Sequence, residues 1–272
     1  METPKSLKLI PKYEADSSWW EHVPIAHFLI EKIKPSVVVE LGTHYGVSFF
    51  SFCEAAEEFS PDTYIYAIDT WSGDPQAGFY NETVFDQVSS YRDKYHKQRS
   101  QLIRALFDDA CDLFQDNSID LIHIDGLHTY EAVKHDYENW ITKVKDGGTL
   151  LFHDWNVKEE GYGVWKLWDE IKKDDRFSCL EVPNGYGLGI ATLGNEKPEW
   201  QITLKDNLDI LKGKGILLDR LWELKSTLTN QSKNMNTMQK HIENLEVMNK
   251  DKQEQIDRAD QAAKGMKGWR KR

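Results

Sequence analysis

Residues 119–155 constrain the possible folds of this chain more than any other segment. Two short apolar runs, at 121–124 and 150–152, flank a segment of helical character, which a Gly-Gly pair at 147–148 is predicted to end. Two buried strands joined by a helix form a βαβ unit, and such units build parallel sheets. The segment therefore predicts an α/β fold.

Polar side chains follow both apolar runs. Asp125 and His128 come after the first run, and His153 and Asp154 come after the second. Because the carboxyl ends of neighbouring parallel strands open onto one crevice, we expect these four side chains to converge. Carboxylates and imidazoles in one crevice are typical of metal binding and of acid–base chemistry.

Composition and charge limit the classes of protein that remain. The 272 residues suffice for one α/β domain with an appendage, and the net charge of −11 argues against general nucleic-acid binding. Three scattered cysteines form no disulfide framework and favour a reducing compartment. We see no signal peptide and no run of the roughly 18 apolar residues that a membrane span needs. We therefore expect a cytoplasmic protein.

A glycine-rich turn follows an earlier β-branched run at 36–41. The residues read Glu40-x-Gly42-x-x-x-Gly46, and glycines there permit a tight turn and a close backbone approach before a helix begins. The dinucleotide fingerprint would also require glycine at positions 44 and 47, which hold His44 and Val47. An acid at the strand end suits a positively charged ligand better than a pyrophosphate.

This turn resembles motif I of the class I S-adenosylmethionine-dependent methyltransferases. A second strand ends on Asp69 about thirty residues later, where an acid can bind ribose hydroxyls, although a surface Asp in a turn also fits. Together with 119–155, these motifs resemble methyltransferases associated with glycan and polysaccharide clusters. They are more distantly similar to metal-dependent sugar O-methyltransferases of macrolide and aminocoumarin biosynthesis. The implied fold is a Rossmann-like parallel sheet with an antiparallel edge strand, and the predicted hairpin at 177–193 fits that edge.

The resemblance implies roles for particular residues. His128 would be the general base for a hydroxyl, and Asp125 would orient it, although His128 as a helix cap is an alternative. His153 is a second acid–base candidate. Asp108 would border the adenine, although helix capping fits it as well. The expected contacts to S-adenosylmethionine are Glu40, Gly42, Gly46, Asp69, Asp108 and Asp125.

The same resemblance implies a divalent metal, Mg or Mn, held by Asp125, Asp154 and His153. His153 stands where the relatives carry an acid, and magnesium prefers oxygen ligands. Either the site takes a softer divalent ion, or it has lost the metal and keeps two acid–base histidines.

The C-terminal part differs in kind from the rest. From Leu217 to Ile256, apolar residues recur at alternating spacings of four and three, which favours a coiled coil over a helix folded back on the domain. A homo-oligomer is the expected partner arrangement. The basic cluster near the C-terminus could contact anionic lipid or an acidic partner, or be a solvated tail.

The predicted organisation has five segments. They are an N-terminal helical segment (1–35), the methyltransferase domain (36–195), a linker (196–215), the coiled coil (216–260) and the basic tail (261–272). The predicted function is transfer of a methyl group from S-adenosylmethionine to a sugar or glycan hydroxyl. The alternatives are a coiled-coil assembly protein with a non-catalytic Rossmann-like domain, and a nicotinamide-dependent oxidoreductase.

Overall fold

The computed structural model describes residues 3–76, 78–194 and 196–269, without the side chains of residue 260 and of residues 262–269. The predicted basic tail therefore lies almost wholly outside the described side chains. None of the helices in these ranges combines the length and the apolar character that a membrane crossing requires.

A seven-stranded sheet forms the centre of the first compact unit, residues 1–219. Its strands are β1 (Val37–Leu41), β2 (Tyr64–Asp69), β5 (Ser100–Arg104), β6 (Ile119–Ile124), β7 (Val144–His153), β8 (Phe177–Val182) and β9 (Leu188–Leu193). A separate two-stranded ribbon consists of β3 (Gly73–Asp74) and β4 (Gly78–Phe79).

The strand order is β5-β2-β1-β6-β7-β9-β8. The chain moves outward from β1 in one direction to β2 and β5, and then returns to place β6 on the other side of β1. Such a reversal opens a crevice at the carboxyl ends of the two central strands. The strands β5, β2, β1, β6 and β7 are parallel to one another. Strand β9 pairs antiparallel with both β7 and β8. The predicted Rossmann-like sheet with an antiparallel edge is confirmed.

Helices cover the sheet and bury its strands. They are α1 (Val23–Ile33), α2 (Val47–Phe59), α3 (Glu82–Tyr95), α4 (Phe107–Cys111), α5 (Tyr130–Trp140), α6 (Val164–Ile171) and α7 (Glu199–Trp269). Because the central strands are covered on both faces, their sequences are almost continuously apolar, and Leu121, Ile122 and Ile124 of β6 are all buried.

The Gly147-Gly148 pair does not end the preceding helix, contrary to the prediction. Helix α5 ends at Trp140, and the glycines lie inside β7 at an irregularity in its pairing with β6. Between the pairs Ile119–Val144 and Leu121–Thr149, the register shifts. A Cβ on Gly148 would lie 2.6 Å from Cγ1 of Val144. The glycines therefore permit a bulge, which is a common use of glycine in a strand.

Helix α7 begins inside the segment predicted as a linker. Its first turns pack on the sheet, because the Gln201 amide donates to Ser178 O and Thr192 Oγ1 at 3.0 Å, and Leu204 and Leu211 are fully buried. Buried apolar residues hold the chain helical where a linker would be exposed and polar.

The second compact unit, residues 220–272, continues α7. The apolar residues of the predicted coiled-coil seam are exposed along it, among them Leu221, Leu224, Leu228, Met235 and Ile242. A helix is confirmed there, and the coiled coil stays a prediction.

Candidate active site

A cavity of about 450 Å³ opens at the carboxyl ends of the central strands. The cavity is lined by residues at the ends of the four strands β1, β2, β6 and β7, or directly after those ends. From these come Gly42, Thr43, Asp69, Asp125 and Asp154, and the N-terminal segment adds Asp16 and Trp19. The convergence that the sequence predicts for the polar residues after β6 and β7 is present.

Gly42 is required by the backbone of the neighbouring strand. Its φ is +86°, and a Cβ there would lie 2.1 Å from the carbonyl oxygen of Asp125. The amide of Asp125 in turn donates to Leu41 O at 2.9 Å. The glycine turn and the end of β6 are therefore in direct backbone contact. Gly46, with φ +83°, is the N-cap of α2 and does not line the cavity.

Asp69 fixes the glycine turn. Its carboxylate accepts hydrogen bonds from the amides of Thr43 at 2.8 Å, His44 at 2.9 Å and Trp71 at 2.7 Å. Asp69 also lines the cavity, at the position expected for ribose recognition. A carboxylate has about four acceptor sites, so three amide bonds leave it little further capacity.

Glu40 lies in the central strand β1 and does not line the cavity. It is fully buried, and its Oε1 lies 3.1 Å from Nδ1 of His123, its neighbour across the strand pair. The Trp19 indole donates to Nε2 of His123 at 3.2 Å, and an indole can only donate. The proton of a neutral His123 is therefore on Nδ1, directed at Glu40. The structure gives Glu40 a buried partner instead of the predicted cofactor contact.

Asp108 is also outside the cavity lining. Its carboxylate contacts His135 Nε2 at 2.9 Å and accepts from Asn139 at 2.9 Å, both on α5. The hydrogen bond from His135 holds the pKa of Asp108 below its usual range. Its neighbours Leu106 and Phe107 line the cavity instead. This loop therefore presents two apolar side chains to the cavity.

Three side chains form a compact cluster in the cavity. His128 Nε2 lies 2.9 Å from Asp154 Oδ2 and 3.4 Å from Asp125 Oδ1. Each of the three residues offers one atom that could bind a metal ion, and these atoms all lie within 4.8 Å of one another. Asp154 has φ +60°, a left-handed conformation that aspartate tolerates better than most residues, and it turns the chain sharply after β7.

His153 lies behind this cluster. Its Nδ1 is 3.2 Å from Asp125 Oδ1 and 3.3 Å from Asp154 Oδ1, and its side chain is only 1% exposed. Both histidines border the cavity, but His153 contacts the carboxylates from a nearly fully buried position, whereas the His128 side chain is partly exposed.

The cluster holds its charges as ion pairs. Burial by itself raises the pKa of Asp125, but the charge of His153 and hydrogen bonds from His128 and His153 bring it well below its usual range. Burial by itself lowers the pKa of His128, but hydrogen bonds to Asp125 and Asp154 raise it to about 10. The two carboxylates therefore favour the protonated form of His128, which neutralises part of their charge.

Two functional candidates have no signal in the sequence. Gln76 lies in the turn between β3 and β4 and contacts His128, and Tyr162 stacks on the His128 ring with centroids 5.3 Å apart. A polar loop after β2 is a common place for ligand contacts, but its composition does not say which residue reaches His128.

Comparison with known proteins defines the class of this domain. Residues 39–155 match a family model described as a methyltransferase domain. The strand order and the glycine turn agree with the class I fold. The match and the fold therefore support the predicted S-adenosylmethionine-dependent methyltransferase.

One relative and several solved structures are similar to this chain. The uncharacterized protein y4gI of Sinorhizobium fredii is 41% identical over 187 residues, which are 69% of this chain and 20% of that protein. This chain therefore spans about a fifth of the relative's length.

Solved structures share the fold at low identity. A methyltransferase from Geobacter sulfurreducens is 15% identical, covers 66% of this chain and 80% of its own, and has a TM-score of 0.50. The S-adenosylhomocysteine-bound methyltransferase PaMTH1 of Podospora anserina is 14% identical over 70% and 88% of the two chains, with a TM-score of 0.50. The O-methyltransferase TomG of Streptomyces achromogenes is 10% identical over 71% and 91%, also with 0.50.

Proposed function

We propose that this protein transfers a methyl group from S-adenosylmethionine to a hydroxyl of a sugar or glycan. The observation that carries the proposal is the position of His128 Nε2, between two carboxylates and in the same cavity as the glycine turn. A hydroxyl must lose its proton as its oxygen attacks the methyl carbon, so a basic group has to lie beside the cofactor.

The cavity fits the cofactor by shape and by charge. The absence of a side chain at Gly42 lets the turn approach β6 closely, and the cavity wall carries carboxylates from Asp16, Asp69, Asp74, Asp125 and Asp154. A sulfonium and an amine are both cationic, so this wall attracts them. Leu106 and Phe107 offer an apolar surface for the adenine.

The same carboxylates favour an uncharged acceptor. A phosphate-bearing acceptor, such as a nucleotide sugar or a coenzyme A thioester, would meet like charge at the wall, and like charges brought together in a site are repelled. A neutral sugar hydroxyl meets no such barrier. This charge distribution is our reason for preferring a glycan among the possible hydroxyl acceptors.

His128 is the proposed base. It loses its ring proton to solvent, accepts the proton of the acceptor hydroxyl, and forms an imidazolium that Asp125 and Asp154 stabilise. His153 supports both carboxylates from the interior. The donor set also fits a divalent cation, which Asp125, Asp154 and His128 would hold, and His128 would then be a ligand and not the base. His153, predicted as a ligand, contacts the same two carboxylates from its buried position. A bound divalent ion would supply Lewis-acid activation of the acceptor hydroxyl.

The proposal is tested by incubating the protein with methyl-labelled S-adenosylmethionine and a panel of neutral glycans, phosphate-bearing sugars and coenzyme A thioesters, with and without a chelator. We expect label in neutral glycans only, and a loss of transfer with chelator if a metal is required. Transfer to phosphate-bearing acceptors alone would contradict the assignment.

We also propose that residues 217–256 pair with a second copy of this chain as a coiled coil. The exposed row of Leu221, Leu224 and Leu228 supports this, because apolar residues at heptad spacing are buried when helices associate. This assembly would accompany methyl transfer.

A further inference from the structure

The chain that precedes α1 is held along the first compact unit and reaches the cavity. We call residues 4–19 the leading segment, which apart from a short 3₁₀ helix has no regular secondary structure. Side chains of the helices fix its first part. Glu31 Oε2 on α1 accepts from the amide of Ser6 at 2.7 Å. The Lys214 ammonium on α7 donates to Leu7 O at 3.1 Å. The path of this segment is therefore set by polar contacts with the helices around it.

The next part of the leading segment is attached to α2 and to the glycine turn. The buried carboxylate of Glu54 on α2 accepts from the amides of Lys12 and Tyr13, each at 3.0 Å. The Tyr13 hydroxyl donates to Tyr45 O, within the turn that follows β1, at 2.7 Å. The leading segment is thereby held directly against the glycine turn.

Asp16 lies between this attachment and a second one at β6. The Trp19 indole donates to Nε2 of His123 on β6 at 3.2 Å, so residues 13–19 run from the turn after β1 to the neighbouring strand. Asp16 lines the cavity along this path. Burial lowers the pKa of His44, and the charge of Asp16 is among those that act against this effect, as expected for a carboxylate near the glycine turn.

The Asp16 carboxylate is available to a ligand. The residue is exposed, and no group of the described residues forms a hydrogen bond or ion pair with its side chain. The other carboxylates of the cavity wall already have partners: three backbone amides for Asp69, the amide of Gln76 for Asp74, and the site histidines for Asp125 and Asp154. Glu40, predicted to contact the cofactor, is buried against His123. Asp16 therefore keeps its full capacity to accept hydrogen bonds.

The strand order decides which part of the cofactor would meet Asp16. Leu106 and Phe107, the proposed adenine surface, follow β5 at one edge of the sheet. Residues 13–19 cross between β1 and β6, which lie on the other side of β2 from β5. Because the adenine and the amino acid are the two ends of S-adenosylmethionine, the leading segment meets the amino-acid end. That end carries an ammonium and a carboxylate, and Asp16 attracts only the ammonium.

We propose that Asp16 binds the amino group of the methionine part of S-adenosylmethionine. The inference rests on one part of the proposed function, that S-adenosylmethionine is the methyl donor, and it does not depend on the acceptor. The leading segment then forms part of the cofactor site. Asp16 supplies the negative charge that the sequence motif assigns to Glu40.

The test is calorimetric titration of the wild type and Asp16→Asn with three ligands. S-adenosylhomocysteine carries both the amino group and the carboxylate, S-adenosyl-3-thiopropylamine keeps only the amino group, and 5′-methylthioadenosine lacks both. We expect Asp16→Asn to raise the Kd of the two ligands with an amino group by about tenfold, as for loss of a charge-assisted hydrogen bond at a partly open site. The Kd of 5′-methylthioadenosine should stay within about twofold of the wild-type value.

Glu58→Gln, which neutralises an exposed acid of α2 outside the cavity, is the matched control and should leave all three Kd values unchanged. Equal increases in Kd for all three ligands in Asp16→Asn would overturn the inference, since they would indicate a displaced segment. An unchanged Kd for S-adenosylhomocysteine in Asp16→Asn would overturn it as well.

Binding is measured without an acceptor, so the two proposals fail separately. If S-adenosylhomocysteine binding depends on Asp16 but the protein methylates no acceptor, the proposed function is contradicted and the inference about Asp16 stands. If the protein methylates a neutral glycan but Asp16→Asn binds S-adenosylhomocysteine as the wild type does, the inference fails and the proposed function stands.

Discussion

At the scale of the residue, Asp125 connects the parts of the site. Its backbone carbonyl lies against Gly42, its Oδ1 contacts both His128 and His153, and its Oδ2 is 3.8 Å from Nε2 of His123. We therefore expect a change in the glycine turn to reach the Asp125–His128–Asp154 cluster through the backbone of one residue. The turn serves the geometry of β6 as well as the approach of a ligand.

Gly42→Ala should show this coupling. Its φ of +86° strains any side chain, and the added Cβ would overlap the Asp125 carbonyl. We expect a loss of at least about 2 kcal/mol in the free energy of unfolding, since a positive φ alone costs about 1–3 kcal/mol, together with loss of S-adenosylhomocysteine binding.

Urea unfolding and calorimetric titration measure these two effects. Gly78→Ala provides the comparison at a positive φ, because a Cβ at that position meets no neighbouring atom within 4 Å. Equal losses in the free energy of unfolding of the two variants would contradict a contribution from the overlap with Asp125.

Asp136 gives a pH-dependent prediction. This residue of α5 is buried, and burial raises the pKa of its carboxyl to about 7. The folded protein then binds a proton that the unfolded chain releases above about pH 4, so the carboxyl reduces stability progressively as the pH rises from about 4 to 7. Asp136→Asn, which is neutral at every pH, should be more stable than the wild type at pH 8 by about 1–3 kcal/mol.

The measurement is urea unfolding at pH 4.5 and at pH 8. The advantage of Asp136→Asn should be smaller at pH 4.5, whereas the exposed substitution Asp112→Asn should change stability little at either pH. A larger advantage for Asp136→Asn at pH 4.5 than at pH 8 would contradict the raised pKa.

At the scale of the element, spacing in the sequence predicts strands and helices well where packing follows the local pattern. The buried runs of β6 and β7 and the hairpin β8–β9 are found as predicted. The Gly147-Gly148 pair was misinterpreted, because glycine can end a helix or permit a bulge, and only the pairing with β6 decides between them. The start of α7 was wrongly predicted as a linker, because the buried contacts of Gln201 and Leu204 depend on the folded sheet.

The C-terminal helix carries a prediction of its own. Changing Leu221, Leu224 and Leu228 to glutamate should convert an oligomer into a monomer, because charged groups would have to be buried at the helix interface. Light scattering after size exclusion measures the mass. Glutamates at Ser226, Asn230 and Lys233, which lie off the seam, should leave the oligomer intact. A monomeric wild type would contradict the pairing.

At the scale of the whole molecule, the sequence predicts the location of the candidate site better than the contacts of its individual side chains. The βαβ pattern places Asp125, His128 and Asp154 at one edge, since strand ends are set by topology. Glu40 was assigned to the cofactor because its place in a motif does not reveal the face on which it lies. Its partner His123 is known only from the strand register. The contact between Gln76 and His128 depends on a loop conformation that the amino-acid composition does not predict.

The most direct test of the proposed function compares His128→Ala with His135→Ala in methyl transfer to a neutral glycan. His135 is an exposed histidine of α5 that contacts Asp108 and does not line the cavity, so it controls for the loss of an imidazole. We expect His128→Ala to lower kcat by about 10²–10⁴-fold, the usual contribution of a general base, and to keep S-adenosylhomocysteine binding. His135→Ala should remain active. Full activity of His128→Ala would contradict the assignment of His128 as the base.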